Sequence, residues 1–216
     1  MDFNAIILTP TTGFIRSQYV SSLANLLLYY LNHNIYPEGG RQSIAYENLE
    51  SSGICSAREH MVGDALARFP GMTHVCFIDE DMGFEPQALF SLASRRLPIV
   101  GVNYRFRKRG GMFTALKPDA SGRVITTIDS SGVERVAYTG FGLCLIERQV
   151  FEKTPKPWFY MAYGHGDDSY GTEDGWFSWQ TRKAGFDWHV DHDASKSITH
   201  VGSYEFRWDQ KEEAGL

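Results

Sequence analysis

The sequence predicts an α/β fold organised around a mostly parallel central sheet. Three observations carry that reading. Short continuous apolar runs read as strands buried on both faces. Segments of helical period lie between them. Beyond Arg109 the spacing changes to hairpin-like pieces, which predicts a mixed or antiparallel C-terminal part.

Ala5-Ile-Ile-Leu8 is the first strand, closed by the turn Thr9-Pro10-Thr11-Thr12-Gly13. From Ser17 to Leu31, apolar residues at Val20, Leu23, Leu27, Tyr30 and Leu31 mark a helix with one buried face. A second helix fits Ser56 to Phe69, with Ser56 as its cap and Pro70-Gly71 as its stop. His74-Val-Cys-Phe-Ile78 is the next strand and delivers Asp79-Glu80-Asp81 at its carboxyl end. Glu85-Pro86 starts a helix running to Ser94, and Ile99–Val102 is a further core strand. Glycine-marked turns then separate Met112–Leu116, Arg123–Ile128 and Val133–Tyr138. Gly142–Ile146 reads as a strand, Glu173–Ala184 as a helix and Trp188–Val190 as the last strand.

The chain has 216 residues, 43% hydrophobic and 22% charged, which suits one folded domain over residues 1–216. A formal net charge of −5 argues against general binding to nucleic acid. Cys55, Cys76 and Cys144 are odd in number and widely spaced, so they read as buried thiols in a reducing compartment. No apolar run approaches the ~20 residues of a membrane span, and Asn4–Leu8 is too short for a signal-peptide core. The expectation is a soluble, cytoplasmic protein; the oligomeric state is left open.

Carboxylates at the end of a buried strand are costly unless cations or hydrogen-bond donors compensate, and a divalent metal is the simplest compensation. In extended backbone Asp79 and Asp81 project to one side and can share one ion.

Taken with its surroundings, this cluster resembles the GT-A glycosyltransferases, particularly the small family-2-like enzymes of bacteria, phages and large DNA viruses. The resemblance rests on Thr9-Pro10-Thr11, Cys55-Ser-Ala-Arg58, His74–Phe84, Thr139-Gly-Phe-Gly142, Glu173-Asp174 and His200-Val-Gly202 in that order along the chain. It implies a single Rossmann-like domain with a nucleotide-binding half at 1–104 and an acceptor-side half at 105–216. It also implies a nucleotide-diphosphate sugar as donor, UDP-sugar favoured, with Mn2+ or Mg2+ as cofactor, in an enzyme that could be virus- or phage-encoded and act in a host cytoplasm.

The resemblance further implies roles by residue. Thr9, Pro10 and Thr11 would hold the nucleotide base, Asp79 the ribose side and the metal, and Asp81 the metal directly, with Glu80 pointing away. His200 would be a distant metal ligand, with His165, His189 and His192 as nearby rivals. Arg58 would reach diphosphate or sugar oxygens, although Glu59 stands where the family often has Asn. Gly140, Phe141 and Gly142 would pass close to the donor sugar. Glu173-Asp174 would supply the catalytic pair, Asp174 as general base of an inverting transfer. Arg105, Arg107, Lys108 and Arg109 would form a phosphate-closing or acceptor-binding loop, with at least two of them merely solvated. Trp176, Trp179 and Trp158-Phe159-Tyr160 offer flat faces for sugar rings, or simply core packing.

Two other classes compete. A metal-dependent nucleotidyltransferase also uses paired aspartates, but normally with two metal ions and a third carboxylate, and it leaves the later motifs without a role. A non-catalytic carbohydrate-binding module would use the aromatics and ignore metal and nucleotide. On the transferase reading the expected acceptor is a glycan or another hydroxyl compound, with a nucleobase kept open by the basic stretch Arg105–Arg109.

Overall fold

The structure, a computed structural model, describes residues 2–33, 42–107, 111–163, 171–202 and 205–209. Lys108, Arg109 and His165 lie outside the described residues.

The first strand, β1 (Phe3–Thr11), carries Phe3, Ala5 and Ile7 into one hydrophobic cluster and Ile6 and Leu8 into another. The strand β3 (His74–Ile78) does the same, with Cys76 and Ile78 on one side and Val75 and Phe77 on the other. Period-2 alternation on a strand apolar on both faces buries it between two helical layers. On the β1-Ile7 face lie α1 (Ser17–Asn32) and α3 (Ala88–Ser94), contributing Tyr19, Leu26, Leu89 and Leu92. On the other face lie α2 (Ile54–Arg68), α4 (Arg148–Lys153) and α5 (Glu173–Lys183), contributing Met61, Val62, Phe151 and Phe177.

The remaining described elements are β2 (Gln42–Glu50), β4 (Met82–Phe84), β5 (Ile99–Gly101), β6 (Val133–Val136), β7 (Leu143–Glu147), β8 (Trp188–Asp191), α6 (His192–Ser195), β9 (Ile198–Val201) and β10 (Glu205–Arg207). Among the described residues the main sheet runs β2-β1-β3-β7-β5-β8-β6. β2, β1, β3, β5 and β8 share one direction, while β7 and β6 oppose it. The sheet is therefore mostly parallel. A smaller sheet, β10-β9-β4, is antiparallel and packs beside its carboxyl edge.

Three local expectations are corrected. Helix α2 starts three residues after Ser51, with Gly53 at its N-cap; Ser56 lies inside the first turn, its hydroxyl donating to the Gly53 carbonyl at 2.9 Å. Strand β2 has no counterpart among the expected elements, and pairs with β1 along Gln42–Glu50. Of the three hairpin-like pieces only Val133–Val136 is a strand; 112–116 and 123–128 make isolated bridges. The reason is Asn103, fully buried: its amide nitrogen donates to the Val124 carbonyl and its carbonyl oxygen accepts from Ala115 N. The side chain thereby stands in for one bond of the Ala115–Val124 pair, whose other bond is Val124 N to the Ala115 carbonyl at 2.9 Å.

No helix among the described residues is long and apolar enough to cross a membrane.

Candidate functional site

The carboxyl ends of β1 and β3, the start of α2 and the middle of β9 converge on a cavity of about 390 Å³. Open α/β sheets place ligands beyond the carboxyl ends of their parallel strands, and ligand cavities typically span roughly 300–1,000 Å³. A 510 Å³ cavity at the opposite end of β1, around Asn4 and Gln42, collects no comparable set of charges.

Asp79, Glu80 and Asp81 form a turn, not extended backbone, closed by Met82 N donating to the Asp79 carbonyl at 3.1 Å. The turn sends the three carboxylates to three partners. Asp79 Oδ1 accepts from Arg58 Nη2 at 2.8 Å. Glu80 accepts from the Thr11 hydroxyl and from both the backbone N–H and the hydroxyl of Thr12. Glu80 thus turns away from the aspartates, as expected, yet lines the same cavity. Asp81 Oδ2 meets Arg107 Nη1 at 2.8 Å and His200 Nε2 at 3.6 Å.

The Asp81–His200 encounter is built by cross-strand pairing. In the β4–β9 ladder Met82 stands opposite His200, and Val201 N donates to the Asp81 carbonyl at 2.7 Å. His200 Nδ1 lies 2.8 Å from the Arg105 carbonyl oxygen. A carbonyl only accepts, so Nδ1 carries the proton and the neutral ring keeps its lone pair on Nε2, toward Asp81. Burial works to raise the Asp81 pKa; a second proton on His200, which turns Nε2 into a donor toward the carboxylate, and the Arg107 charge outweigh it and hold the carboxyl below its ordinary value.

Arg58 is 3% exposed and lies over the rings of Phe77 and Phe141, its Cζ 5.0 and 4.6 Å from their centroids. Burial opposes its charge, and Asp79, Glu173 and Asp174 more than offset this. Nε stands 3.5 Å from Glu173 Oε1, beyond good hydrogen-bond geometry. Nε and Nη1 are buried without a hydrogen-bond partner among the described residues. Orphaned guanidinium donors beside a cavity are placed to receive anionic oxygens.

Helix α5 opens at Thr172, whose hydroxyl accepts from Gly175 N, and puts Glu173 and Asp174 in its first turn, where the helix dipole favours negative charge. Glu173 lines the cavity; Asp174 sits one residue further in, half-buried, beside Gly140. Burial raises both carboxyls, and their mutual repulsion adds to the shift of Glu173. A Cβ at Gly140 would fall 2.3 Å from the Tyr104 hydroxyl oxygen and 3.5 Å from Asp174 Oδ2. The glycine is required by this close approach of backbone to side chain.

The protein A197 from STIV superposes with a TM-score of 0.62 at 15% identity, over 97% of this chain and 92% of that one. The catalytic domain of Drosophila beta-1,4-galactosyltransferase 7, in complex with xylobiose, superposes with a TM-score of 0.52 at 13% identity, over 99% of this chain and 76% of that one. A mutant of the same galactosyltransferase, in complex with manganese, UDP-Gal and xylobiose, gives a TM-score of 0.50 over the same shares. The fold is GT-A. No protein-family model matches the sequence, and no curated protein matches it.

Within this GT-A fold, Pro10, Thr11, Arg58, Asp79, Asp81, Glu173 and His200 gather on one cavity. Five expected residues, Thr9, Gly140, Phe141, Gly142 and Asp174, do not line it. Thr9 shares the β1 face of Phe3, Ala5 and Ile7, is fully buried and bonds the Tyr19 hydroxyl; Thr12 lines the cavity instead. The Phe141 ring is 1% exposed and packs among Phe77, Phe159 and Phe177 beneath Arg58, so it supports the guanidinium and faces no open space. Gly140 and Gly142 fit closely around Tyr104, whose hydroxyl accepts from Gly142 N at 3.1 Å. His189 and His192 do not line the cavity; His192 is tied to Thr126 and Glu134.

Tyr104 lines the cavity, meets the His200 ring edge-on at 5.1 Å between centroids, and was not among the expected residues. Its signal was positional: it lies three residues past β5, at a strand end like that of Asp79. Among the described residues no group of three or more His, Cys, Asp or Glu side chains could hold a metal alone.

Proposed function

We propose that this chain is a metal-dependent glycosyltransferase that moves a sugar from a nucleotide-diphosphate sugar, UDP-sugar favoured, to an acceptor hydroxyl with inversion. The observation that carries the reading is the pairing of Asp81 with His200 Nε2 across the β4–β9 ladder, beside a buried arginine with two orphaned donors. A carboxylate oxygen and an imidazole lone pair are a coherent pair of ligands for Mn2+, better than for Mg2+ with its all-oxygen preference, and diphosphate oxygens and water would supply the rest. The fit is that of a site shared between protein and donor. When bound, the ion supplies Lewis-acid neutralisation of the leaving diphosphate.

The chain's own residues divide the remaining work. Pro10, Thr11 and Thr12, with Glu80 bonding the two threonines, shape the nucleotide-base end of the cavity. Asp79, oriented by Arg58 Nη2, faces the ribose and the edge of the metal position. Arg58 Nε and Nη1 receive diphosphate or sugar oxygens. Tyr104 excludes water and holds the Gly140–Gly142 turn close to the sugar. Asp174 takes the acceptor proton as the hydroxyl attacks, and burial, by raising its pKa, increases its basicity. Glu173 neighbours Arg58 and sets the charge balance of that pair. Residues 1–104 form the nucleotide-binding half and 105–216 the acceptor half of one domain.

Titration calorimetry of UDP with and without manganese tests the reading. Tight UDP binding that requires manganese, and that is lost in Asp81→Asn, is the expected result; UDP binding indifferent to manganese would remove the metal-dependent mechanism. Thermal-shift screening of nucleotide sugars then identifies the donor.

A further inference from the structure

A second cavity, of about 660 Å³, lies on the other side of the α5 N-terminus. Thr172 and Gly175, which flank Glu173-Asp174, form one wall; Trp176, Trp179 and Tyr138 supply aromatic surface. Arg123 and Arg182 supply the charge, and no acidic residue is among the described residues lining it. That composition is unusual in a chain whose formal net charge is −5.

The donors are built in. Arg123 Nη1 donates to the Thr114 carbonyl at 2.6 Å and to the Tyr138 hydroxyl at 3.1 Å, while its guanidinium lies 5.7 Å from the Tyr138 ring centroid. Its Nε and Nη2 have no hydrogen-bond partner among the described residues. Arg182 is anchored through Nε to the Ser178 carbonyl at 3.4 Å, which leaves its two terminal nitrogens in the same position. Trp176 Nε1 donates to the Pro157 carbonyl, which fixes the indole at the cavity wall. Lys183 Nζ sits 3.7 Å from the Trp179 ring centroid and holds that indole in place.

Aromatic faces suit the apolar faces of sugar rings, and guanidinium forks with open N–H groups suit carboxylates or sulfate esters. We infer that this cavity binds an acidic saccharide and presents it as acceptor to Asp174. The acceptor clause rests on the glycosyltransferase reading; the binding clause does not.

The test is a titration of the full chain, without nucleotide or metal, with cellobiouronic acid, cellobiose and cellobiose 6′-sulfate, followed by calorimetry and tryptophan fluorescence. The uronic acid is expected to bind about tenfold or more tightly than cellobiose, the worth of one charge-assisted contact. Arg182→Gln, a change on an exposed part of α5, should remove most of that preference. A stronger response to the sulfate than to the uronic acid would identify sulfate as the anion and equally support the proposal. Equal binding of the acidic and neutral sugars, a preference that survives both Arg182→Gln and Arg123→Gln, or no binding at millimolar concentration would overturn it. UDP–manganese titrations on the same samples keep the two readings apart: acidic-sugar binding with no nucleotide binding retains the cavity and removes the transferase.

Discussion

Arg107 Nη1 lies 2.8 Å from Asp81 Oδ2, the same carboxylate oxygen that stands 3.6 Å from His200 Nε2. The guanidinium is half-exposed and sits where a metal shared by Asp81 and His200 would have to bind. On the proposed reading, a metal held by Asp81 and His200 has to displace the Arg107 guanidinium from the carboxylate. An ion pair whose arginine is half-exposed is screened by solvent to about 1 kcal/mol, so Arg107→Ala is predicted to tighten manganese binding by roughly twofold to fivefold. Calorimetry in the presence of UDP measures it. Weaker binding in the variant would mean that Arg107 contacts the donor phosphates in the bound state.

His200→Ala is predicted to lower manganese affinity by roughly tenfold or more, because even outer-shell partners of metal ligands are worth about 10–100-fold. Electron paramagnetic resonance of bound manganese reads this directly. An unchanged spectrum and affinity would exclude His200 as a ligand.

Asp174→Asn keeps the shape of the side chain but cannot accept a proton. The predicted outcome is a fall in kcat of about 10²–10⁴ with the donor KM nearly unchanged. Equal losses in donor binding and in rate would assign Asp174 to the donor pocket.

Burial raises the pKa values of Glu173 and Asp174. The base is active when deprotonated, so transfer should rise with pH through a value above the ordinary carboxylate range of about 4. Stability moves the other way. A carboxyl that holds its proton more tightly when folded contributes stability below its unfolded pKa and loses it as pH rises through the folded one. Urea unfolding of the wild type and Asp174→Asn across the acid range checks the sign: the variant should gain relative stability as pH rises, and a constant difference would refute the shift.

Gly140→Ala drives a methyl against the Tyr104 hydroxyl and is predicted to cost about 1–3 kcal/mol, as overpacking does. Combining it with Tyr104→Phe removes the atom 2.3 Å from the new Cβ and leaves the ring carbon at 3.1 Å. Denaturation curves should show partial recovery in the double variant. Additive losses would place the strain elsewhere.

The buried elements were legible in the sequence because burial on both faces leaves an unbroken apolar signature, as in Ala5–Leu8 and His74–Ile78. Strand β2 was not, because as the described edge of the sheet it is only partly buried and mixes Gln42, Glu47 and Asn48 with its apolar residues. Its signal was weak alternation: Ile44 and Tyr46 pack to one cluster, Ala45 and Leu49 to the other. The pieces at 112–116 and 123–128 looked like strands because their composition suits pairing, but they pair only at single bridges, and between Ala115 and Val124 one bond is taken over by the Asn103 side chain, 12 residues from Ala115 and 21 from Val124.

The sequence by itself determined the α/β class, the strands β1, β3, β5, β7 and β8 with the helices α1, α2, α3 and α5 in order, and the strand-end position of Asp79-Glu80-Asp81, since each depends on local period and polarity. Only the tertiary structure decided how the carboxylates are used. Asp79 and Asp81 look equivalent as a spaced pair, yet the turn gives one to Arg58 of α2 and the other to His200 of β9. The packing of α2 and the register of the β4–β9 ladder, which sets Met82 opposite His200, are long-range relations. No local pattern encodes them, because they arise from burying faces that lie far apart along the chain.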